Sequence, residues 1–313
     1  MEDIFQAMIS GSNVKLATEE SKPVCYLCNS TNLRVKFPTT EGNLNADSNS
    51  YCCTSFGHNK HGDILECLDC GLIALKDIPD SLKLEQMYKQ VHDPLYVEEK
   101  KNRYFTFNKV MKDIQKYAGS GKLLDVGCYC GYFLDVAREK GLEVQGVELS
   151  EWASSQARQL GHVVHNDTLS SLDLQNHFDI ITMWDVVEHF SNPSDELREV
   201  NRLLKRGGYL FLATINAGSL VARLMGPRWP LLMDMHIFYF NKDTITKILE
   251  EEGFSVVHIQ NYTHYISSKY LIEKLNHISK FGTLFPKALQ GVFGEFSIPF
   301  NIGDNMMVIA KKL

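Results

Sequence analysis

The sequence predicts an α/β protein in which a doubly wound parallel sheet follows a small cysteine-rich module. From residue 122 onwards, short apolar runs typical of buried strands alternate with amphipathic helical segments. Six of the eight cysteines lie before residue 71, in a region of different composition. A chain of 313 residues is long enough for one large domain with an appendage.

Composition narrows the function classes before any motif is considered. Hydrophobic residues make up 44% and charged residues 22% of the chain, which excludes a disordered or low-complexity protein. No apolar run is long enough to span a membrane and the first residues lack a basic flank, so we expect a cytoplasmic protein. A net charge of -6 disfavours nucleic acid as a partner, because phosphate backbones attract basic surfaces.

The amino-terminal part of the chain is predicted to bind zinc. Residues 1–20 are a polar leader to which we assign no role, and residues 21–80 are dense in Cys, Asn, Ser and Gly. Two Cys-x-x-Cys pairs are each followed by Asn or Gly, which tolerate the tight turn of a metal-binding knuckle. Four such thiolates close a tetrahedral structural zinc site, so residues 21–80 are predicted to form a zinc-ribbon-like module. The predicted ligands are Cys25, Cys28, Cys67 and Cys70.

The loop between the knuckles contains four more residues of metal-binding type, which are Cys52, Cys53, His58 and His61. We expect these to be loop residues without metal, although replacement of a ligand or a second ion stays open. A closed site of four thiolates has no open coordination position, so no chemistry is expected there. A disulfide framework is the less favoured use of the cysteines in a chain without an export signal.

The rest of the chain divides by its hydrophobic periodicity. Residues 81–118 show helical spacing interrupted at Pro94 and are predicted to be a helical connector. Residues 119–263 hold the alternating strands and helices of the core, and residues 301–313 supply its final strand. Between them, residues 264–300 are amphipathic and partly aromatic. That pattern predicts a helical insertion that acts as a substrate lid or an apolar interface, or that packs as helical core, and a contact with a membrane surface is a further hypothesis.

The predicted core strands are KLLDV, EVQGVEL, HVVHN, DIITMW and YLFLATI. Helix signals lie between them, because Gly141 and Gly161 stand where C-terminal glycines belong, and Asn192 precedes Pro193 as a helix cap does. The double glycine at 207–208 is expected to end the helix that Asn192 begins. Five strands with interposed helices predict a Rossmann-like sheet.

A glycine turn joins the first of these strands to its helix. Such a turn lets backbone N–H groups approach a ligand at the helix N-terminus. It contains only Gly127 and Gly131, with Tyr129 between them, so the G-x-G-x-x-G dinucleotide pattern is not met and NAD is disfavoured. Glu148 ends the second strand, where an acid accepts hydrogen bonds from ribose hydroxyls.

The segments LLDVGCYCGYF, GVELS, HND, FDIITMWDVVEHF and LLKRGGYLFLAT resemble, in this order, the motifs of class I S-adenosylmethionine (SAM)-dependent methyltransferases. The resemblance covers about residues 119–260 and implies the Rossmann-like fold of that class, with SAM as cofactor. Two positions depart from the family pattern. Tyr129 replaces the usual middle glycine, and Arg206 replaces the proline that commonly precedes the double glycine.

The resemblance also implies roles for individual residues. Asp125 would steady the turn near the methionine amino group, and Gly127 and Gly131 would admit the cofactor. Glu148 would hold the ribose and Asp167 would meet the adenine amine. The full set of predicted cofactor-binding residues is Asp125, Gly127, Cys128, Gly131, Glu148, Leu149, Asp167 and Asp185.

A cysteine module before such a domain resembles the layout of sugar and natural-product methyltransferases. In sugar C-methyltransferases, a Tyr-x-Glu-His arrangement beyond the fifth strand supplies the catalytic base. The corresponding stretch here reads Met233-Asp234-Met235-His236, in which only the histidine matches. The resemblance therefore favours a hydroxyl over a carbon atom as the methyl acceptor.

A hydroxyl acceptor needs a base, and two histidines are predicted to supply it. His236 and His189 follow the fifth and fourth strands, at the sheet edge where open α/β folds bind ligands. Of the two, His236 is the first choice for the catalytic base. Asp185 and Glu188 lie beside His189, where they orient a histidine or act as helix-entry charges.

The sequence thus predicts methyl transfer from SAM to a hydroxyl of a saccharide, glycan or other small molecule. Three alternatives stay open: C- or N-methylation of a deoxysugar, methylation of ribosomal RNA by a zinc-bearing enzyme, and a non-catalytic binding protein in which Tyr129 closes the pocket. Net acidity disfavours RNA, and cofactor binding separates the enzymes from the binding protein. The sequence leaves the oligomeric state open.

Overall fold

The computed structural model describes residues 23–40, 48–55, 58–278 and 296–313. Within these ranges the chain forms a four-stranded sheet near the cysteine pairs, a seven-stranded central sheet and a two-stranded sheet. The predicted leader at residues 1–20 lies outside the described residues.

The cysteine-rich module is an antiparallel sheet of short strands. Its own strands are β1 (Leu33–Phe37), β2 (Ile64–Cys67) and β3 (Ile73–Leu75), which pair in sequence order. A fourth strand, β9 (Phe238–Tyr239), comes from the core and pairs with β3. Backbone hydrogen bonds therefore join the module to the segment that follows the fifth core strand.

The connector consists of three helices, α1 (Ser81–Lys89), α2 (Pro94–Glu98) and α3 (Lys100–Ile114). The predicted interruption at Pro94 is confirmed, because this proline takes the first position of α2 and the Asp93 side chain caps that helix. Phe107 on α3 packs against Phe133 of the core, with the ring centroids 5.4 Å apart. The connector is thus attached to the core along the face of α3.

The central sheet confirms the predicted doubly wound fold. Its strand order is β10-β13-β8-β7-β4-β5-β6, with β4 to β8 parallel and β13 antiparallel to both of its neighbours. The strands are β4 (Lys122–Val126), β5 (Glu143–Val147), β6 (Val163–His165), β7 (Phe178–Trp184), β8 (Leu204–Ile215), β10 (Phe254–Asn261) and β13 (Asn305–Lys312). The main helices beside it are α4 (Tyr132–Glu139), α5 (Glu151–Gln159), α6 (Pro193–Leu203), α7 (Leu220–Met225) and α8 (Lys242–Glu251).

This strand order decides where a ligand can bind. Strand β4 lies between β5 and β7, so the chain leaves β4 at the point where the winding reverses. Open α/β sheets bind ligands outside the carboxyl ends of the strands at such a point. The motifs that follow β4, β5, β6 and β7 therefore meet at one edge.

Most of the predicted helix boundaries are confirmed. Gly141 and Gly161 have φ values of 86° and 83° after α4 and α5, and the Asn192 side chain accepts a hydrogen bond from the backbone of α6. The prediction for the double glycine is wrong, because α6 ends at Leu203 and residues 207–208 lie inside β8. Leu204 is already extended and pairs with β7, so the helix passes directly into the strand.

The segment at 264–300 is only partly helical, and the prediction of a helical insertion is wrong at both ends. Its described parts are β11 (His264–Ser267), α9 (Ser268–Ile278) and β12 (Ser297–Phe300), and the two strands pair antiparallel. Glu99 on the connector accepts hydrogen bonds from the Ser267 backbone and hydroxyl, which attaches this two-stranded sheet to the connector. Residues 279–295 of the predicted lid, which include Phe281, Phe285 and Phe293, lie outside the described residues. Among the helices that are described, none combines the length and apolarity needed to cross a bilayer.

One buried carboxylate links the module, the connector and the glycine turn. The Asp93 side chain is 3% exposed and accepts hydrogen bonds from the backbone and hydroxyl of Thr54 in the module. It also accepts from the backbone N of Tyr96 at 3.2 Å and from the hydroxyl of Tyr129 at 3.2 Å. Three segments far apart in sequence therefore share one acceptor.

We expect Asp93→Ala to lower the free energy of unfolding by about 2–4 kcal/mol, because it leaves several buried donors without an acceptor. Urea denaturation measures the loss. The matched control is Asp80→Ala, which removes the exposed cap of α1 and should cost about 1 kcal/mol. Equal losses in the two variants would show that Asp93 acts only as a helix cap.

Candidate active site

The turn after β4 requires glycine at both ends. Gly127 and Gly131 have φ values of 67° and 77°, and Gly131 is the residue before α4. A Cβ at Gly127 would lie 2.7 Å from a methyl carbon of Val186, and one at Gly131 would lie 2.8 Å from the Cβ of Ala157. The backbone can follow this path only because these two positions have no side chain.

Tyr129 forms a wall of the site. Its φ is 47°, and its backbone N donates to Oε2 of Glu148 at 2.9 Å. The ring packs edge-on against Tyr96 with centroids 4.5 Å apart and lies 6.1 Å from the ring of Trp152. Because the hydroxyl is bound to Asp93, the side chain is held against the connector beside an open cavity.

A cavity of about 410 Å³ lies at the carboxyl ends of the central strands, between the sheet edge and α1. Six of the predicted site residues line it, namely Gly127, Glu148, Leu149, Asp167, Asp185 and His189. The structure thus brings together residues that follow four different strands. Module and connector residues, among them Tyr51, Cys53 and Tyr88, form the opposite wall.

Four other predicted site residues lie behind the cavity wall. Asp125 is buried and accepts a hydrogen bond from the hydroxyl of Thr182 at 2.6 Å, and Gly131 lies at the start of α4. The Cys128 thiol points into the core, where a Cβ at Gly146 would lie 2.4 Å from its sulfur. His236 is 7% exposed and lies beyond His189. These four residues lie behind the residues that line the cavity, and His189 is the predicted histidine that faces it.

Three carboxyl groups of the site have pKa values that burial raises. Burial raises the pKa of Glu148 to about 7, although the backbone N–H groups of Ser150 and Tyr129 favour its charged form. Burial raises the pKa of Asp125 to about 8. Burial also raises the pKa of Asp185 to about 6, and the positive charge of Arg103 limits that increase. Near neutral pH these groups therefore exchange protons readily.

Two imidazoles and a carboxyl group form a buried cluster at the end of the cavity. The Nδ1 of His189 lies 2.8 Å from the carbonyl oxygen of Met235, and that of His236 lies 2.7 Å from the carbonyl oxygen of Leu231. A carbonyl only accepts, so each Nδ1 carries a proton and each Nε2 keeps a free lone pair. Burial lowers the pKa of His189 to about 4 and that of His236 to about 3, so both rings are neutral.

The carboxyl group of this cluster belongs to Glu188. Burial and the negative charge of Asp185 raise its pKa to about 8. One donor atom from each of Glu188, His189 and His236 lies within 4.8 Å of the other two. A carboxylate with two imidazoles is a donor set that suits a divalent transition metal as well as a proton.

Sequence reasoning missed several residues of the site. The Arg103 guanidinium on α3 stacks 4.5 Å from the ring of Tyr96, and its Nε is buried with no hydrogen-bond partner in the described structure. The Tyr88 hydroxyl is likewise buried with no hydrogen-bond partner in the described structure. His264 on β11 places its Nε2 3.9 Å from the Asp185 carboxylate. Arg103 and Tyr88 lie on connector helices, where the spacing of residues does not tell an inward side chain from an outward one. His264 lies on β11.

The four predicted zinc ligands converge. Their sulfur atoms all lie within 4.8 Å of one another, with Cys25 and Cys70 3.5 Å apart and Cys28 and Cys67 3.5 Å apart. A tetrahedral zinc with bonds of about 2.3 Å needs neighbouring sulfurs about 3.8 Å apart, which this arrangement accommodates. The turns behind the sulfurs contain Asn29 and Gly71 at φ 57° and 77°. The donor set therefore fits a closed structural site.

The additional cysteines and histidines of the module lie elsewhere. Among the residues that the structure describes, Cys52, Cys53, His58 and His61 belong to no such cluster. Nδ1 of His58 is 2.8 Å from the carbonyl oxygen of Pro230, which lies after the fifth core strand, and Nδ1 of His61 is 2.8 Å from that of Gly62. Cys53 lines the cavity described above.

The fold and the glycine turn with its acidic partners define a class I SAM-dependent methyltransferase domain. A family model described as "Methyltransferase domain" matches residues 97–259, just over half of the 313 residues, and the chain belongs to that family. The match covers neither the cysteine module nor β13, the last strand of the central sheet.

Among curated proteins, the chain is similar to the ubiquinone biosynthesis O-methyltransferases of Pseudomonas aeruginosa and Pseudomonas paraeruginosa. The first is 33% identical over 103 residues, covering 30% of this chain and 44% of the relative. The second is 34% identical over 113 residues, covering 33% and 49%. The match thus spans less than half the length of either relative. A solved SAM-dependent methyltransferase from Thermotoga maritima is 19% identical, with a TM-score of 0.46, covering 68% of this chain and 91% of that one.

We expect S-adenosylhomocysteine (SAH) to bind about tenfold more weakly at about pH 6 than at about pH 8. Protonation of Glu148, with its pKa raised to about 7, removes an acceptor that the cofactor ribose would use. Calorimetric titration measures this, with NAD as the negative control. Glu148→Gln should bind SAH weakly at both pH values, whereas Asp167→Asn should keep the pH dependence. A flat profile for the unaltered protein would contradict the assignment of Glu148.

Proposed function

We propose that this protein transfers the methyl group of SAM to a hydroxyl of a small molecule, which is a saccharide or another metabolite. The observation that carries the proposal is the position of His189, a neutral imidazole that faces the same cavity as Glu148, Asp167 and Asp185. The curated relatives, which are named as O-methyltransferases, support a hydroxyl acceptor.

In this proposal the cofactor lies along the carboxyl ends of β4 to β7. Glu148 accepts hydrogen bonds from the ribose, and Asp167 accepts one from the adenine amine. Asp185 and the Gly127 turn hold the methionine end. Arg103 lies outside the cavity lining, and its positive charge acts on the Asp185 carboxyl group.

The chemistry is an in-line displacement, so correct placement of the acceptor supplies most of the rate. The hydroxyl oxygen forms a bond to the methyl carbon while the carbon–sulfur bond breaks, and its electrons stay on the sulfur of SAH. The hydroxyl proton moves to Nε2 of His189, whose Nδ1–H is fixed on the Met235 carbonyl. His236, with its ring centroid 4.9 Å from that of His189, is a positioning residue.

The proposal is tested by incubating the protein with SAM and a library of saccharides and phenols, followed by mass spectrometry and NMR of the product. A methyl group on oxygen supports the proposal, and one on carbon or nitrogen overturns the choice of acceptor atom. With an acceptor that the protein methylates, His189→Gln should lower kcat by about 10²–10⁴-fold and leave the affinity for SAH unchanged.

Two further variants separate catalysis from packing. His236→Gln should lower kcat less than His189→Gln, because the residue acts through its neighbour. The control is His165→Gln on β6, which lies outside the set of residues that line the cavity and should keep full activity. An undiminished kcat in His189→Gln would show that this histidine is not the base.

We also propose that the four-cysteine cluster holds a structural zinc ion. The geometry of the sulfur atoms and the closed donor set support it, and a zinc ion there would hold the two knuckles together. The module joins the core through β9 and through the Tyr26 hydroxyl, which donates to Asn192 and accepts from the backbone N of Ser194. The metal would thereby stabilise the wall of the cavity.

Metal analysis of the purified protein should find about one zinc per chain. Cys25→Ser and Cys70→Ser should lose the metal and unfold at a lower temperature, because the site depends on all four thiolates. Cys53→Ser is the matched control, since its sulfur lies outside the cluster, and it should keep the zinc. A metal-free protein with unchanged stability would contradict this second proposal.

A further inference from the structure

The two imidazoles at the end of the cavity are oriented in the same way. Nδ1 of His189 donates to the carbonyl oxygen of Met235, and Nδ1 of His236 donates to that of Leu231. The proton of each ring is therefore held on Nδ1, and each Nε2 offers a lone pair. Histidines that bind metals are oriented like this, because the hydrogen bond on one ring nitrogen points the other nitrogen at the ion.

Backbone hydrogen bonds hold the two loops that carry these rings. Glu188 and His189 lie in the turn after β7, and His236 lies just before β9. The backbone N of Ile237 donates to the carbonyl oxygen of Glu188 at 2.9 Å, and the bond from His189 to Met235 makes a second link. The centroids of the two imidazole rings are 4.9 Å apart. The fold thus places the three side chains together before any ion binds.

The distances between the donor atoms suit one ion. One donor atom from each of Glu188, His189 and His236 lies within 4.8 Å of the other two. Tetrahedral bonds of about 2.1 Å place ligand atoms about 3.4 Å apart, so shifts of about 1 Å or less bring all three onto one ion. Three protein ligands leave one coordination position open. His189 lines the cavity, which gives an ion a route to the cluster.

The charges around the cluster favour a cation, and its donor atoms favour a transition metal. The negative charge of Asp185 acts on Glu188, and the cavity lining contains no Lys or Arg among the described residues. A positive charge, that of Lys274, acts on His236, although burial lowers the pKa of this lysine to about 8. Imidazole nitrogens suit Zn²⁺, Co²⁺ and Ni²⁺, whereas Mg²⁺ prefers oxygen ligands.

We propose that Glu188, His189 and His236 bind a divalent transition-metal ion such as Zn²⁺, at a site separate from the four cysteines, and that this ion inhibits methyl transfer. The inhibition rests on the proposed function, which takes His189 as the base. The lone pair on Nε2 of His189 either binds the ion or accepts the proton of the acceptor hydroxyl. A bound ion therefore removes the base, and its release restores it.

The binding experiment uses Co²⁺, whose absorption spectrum reports its ligands. Co²⁺ bound by imidazoles and a carboxylate gives visible d–d bands, whereas Co²⁺ bound by cysteines adds a charge-transfer band in the near ultraviolet. The spectra therefore separate the two sites whether or not the cysteines already hold zinc. We expect about one Co²⁺ per chain with d–d bands that lack the thiolate band. Zn²⁺ should displace this Co²⁺, and Mg²⁺ should not.

Variants connect this spectrum to the named residues. Glu188→Gln and His236→Gln should each weaken Co²⁺ binding at this site by at least about tenfold, because each removes one of three ligands. The control is His165→Gln, whose ring lies 3.1 Å from the Gln145 side chain outside the cluster, and it should bind Co²⁺ as the unaltered protein does. Circular dichroism checks that each variant is folded.

The inhibition is measured with an acceptor that the protein methylates. Saturating Zn²⁺ should lower kcat by at least about tenfold, and dilution of the metal should restore it. In His236→Gln, the remaining activity should resist the same concentration of Zn²⁺, because the base is present but the ion is held weakly. Mg²⁺ should leave kcat unchanged in both proteins.

Each outcome bears on one part of the proposal. A protein without the thiolate-free Co²⁺ spectrum, or variants that bind Co²⁺ as the unaltered protein does, would show that the metal site is wrong. If the ion binds and kcat is unchanged or rises, or if Zn²⁺ inhibits His236→Gln equally, the inhibition is wrong. Failure of SAH to bind overturns the methyltransferase proposal instead and leaves the metal result standing.

Discussion

The Asp93 carboxylate is the interaction on which the site depends, because it joins three segments that the sequence keeps apart. Thr54 of the cysteine module, Tyr96 of the connector and Tyr129 of the glycine turn all donate to it. A buried acceptor lowers the free energy of unfolding little when it and all of its donors are paired, and strongly when a partner is missing. The module and the connector are therefore held over the sheet edge, and the cavity exists between them.

Burial also decides the protonation states in that cavity. The same loss of hydration that raises the pKa of Glu148, Asp185 and Glu188 lowers that of His189 and His236. The imidazoles are thus unprotonated, and the backbone carbonyls behind them determine which nitrogen is free. The cavity thus presents a neutral imidazole beside several acidic side chains.

The residues that the methyltransferase motifs contribute to the cavity could be predicted from the sequence, whereas most residues that the connector contributes could not. Gly127, Glu148 and Asp167 end successive strands or lie in the loops after them, and parallel strands bring those ends to one edge in every fold of this type. Arg103 and Tyr88 lie on helices whose spacing is compatible with either face. The two histidines both follow strands, and only packing puts His236 behind His189, which lines the cavity.

The sequence by itself determined the alternation of strands and helices, the glycine turn and the two cysteine knuckles, because each is encoded by neighbouring residues. It did not decide that α6 passes directly into β8, or that the segment after residue 263 contributes a two-stranded sheet. It also did not decide that β9 completes the sheet of the cysteine module. Those features depend on pairing between distant segments, whose energy is absent from any local pattern. The tertiary structure also decided which side chains face the cavity, since burial and the shared Asp93 carboxylate come from parts of the chain that are far apart.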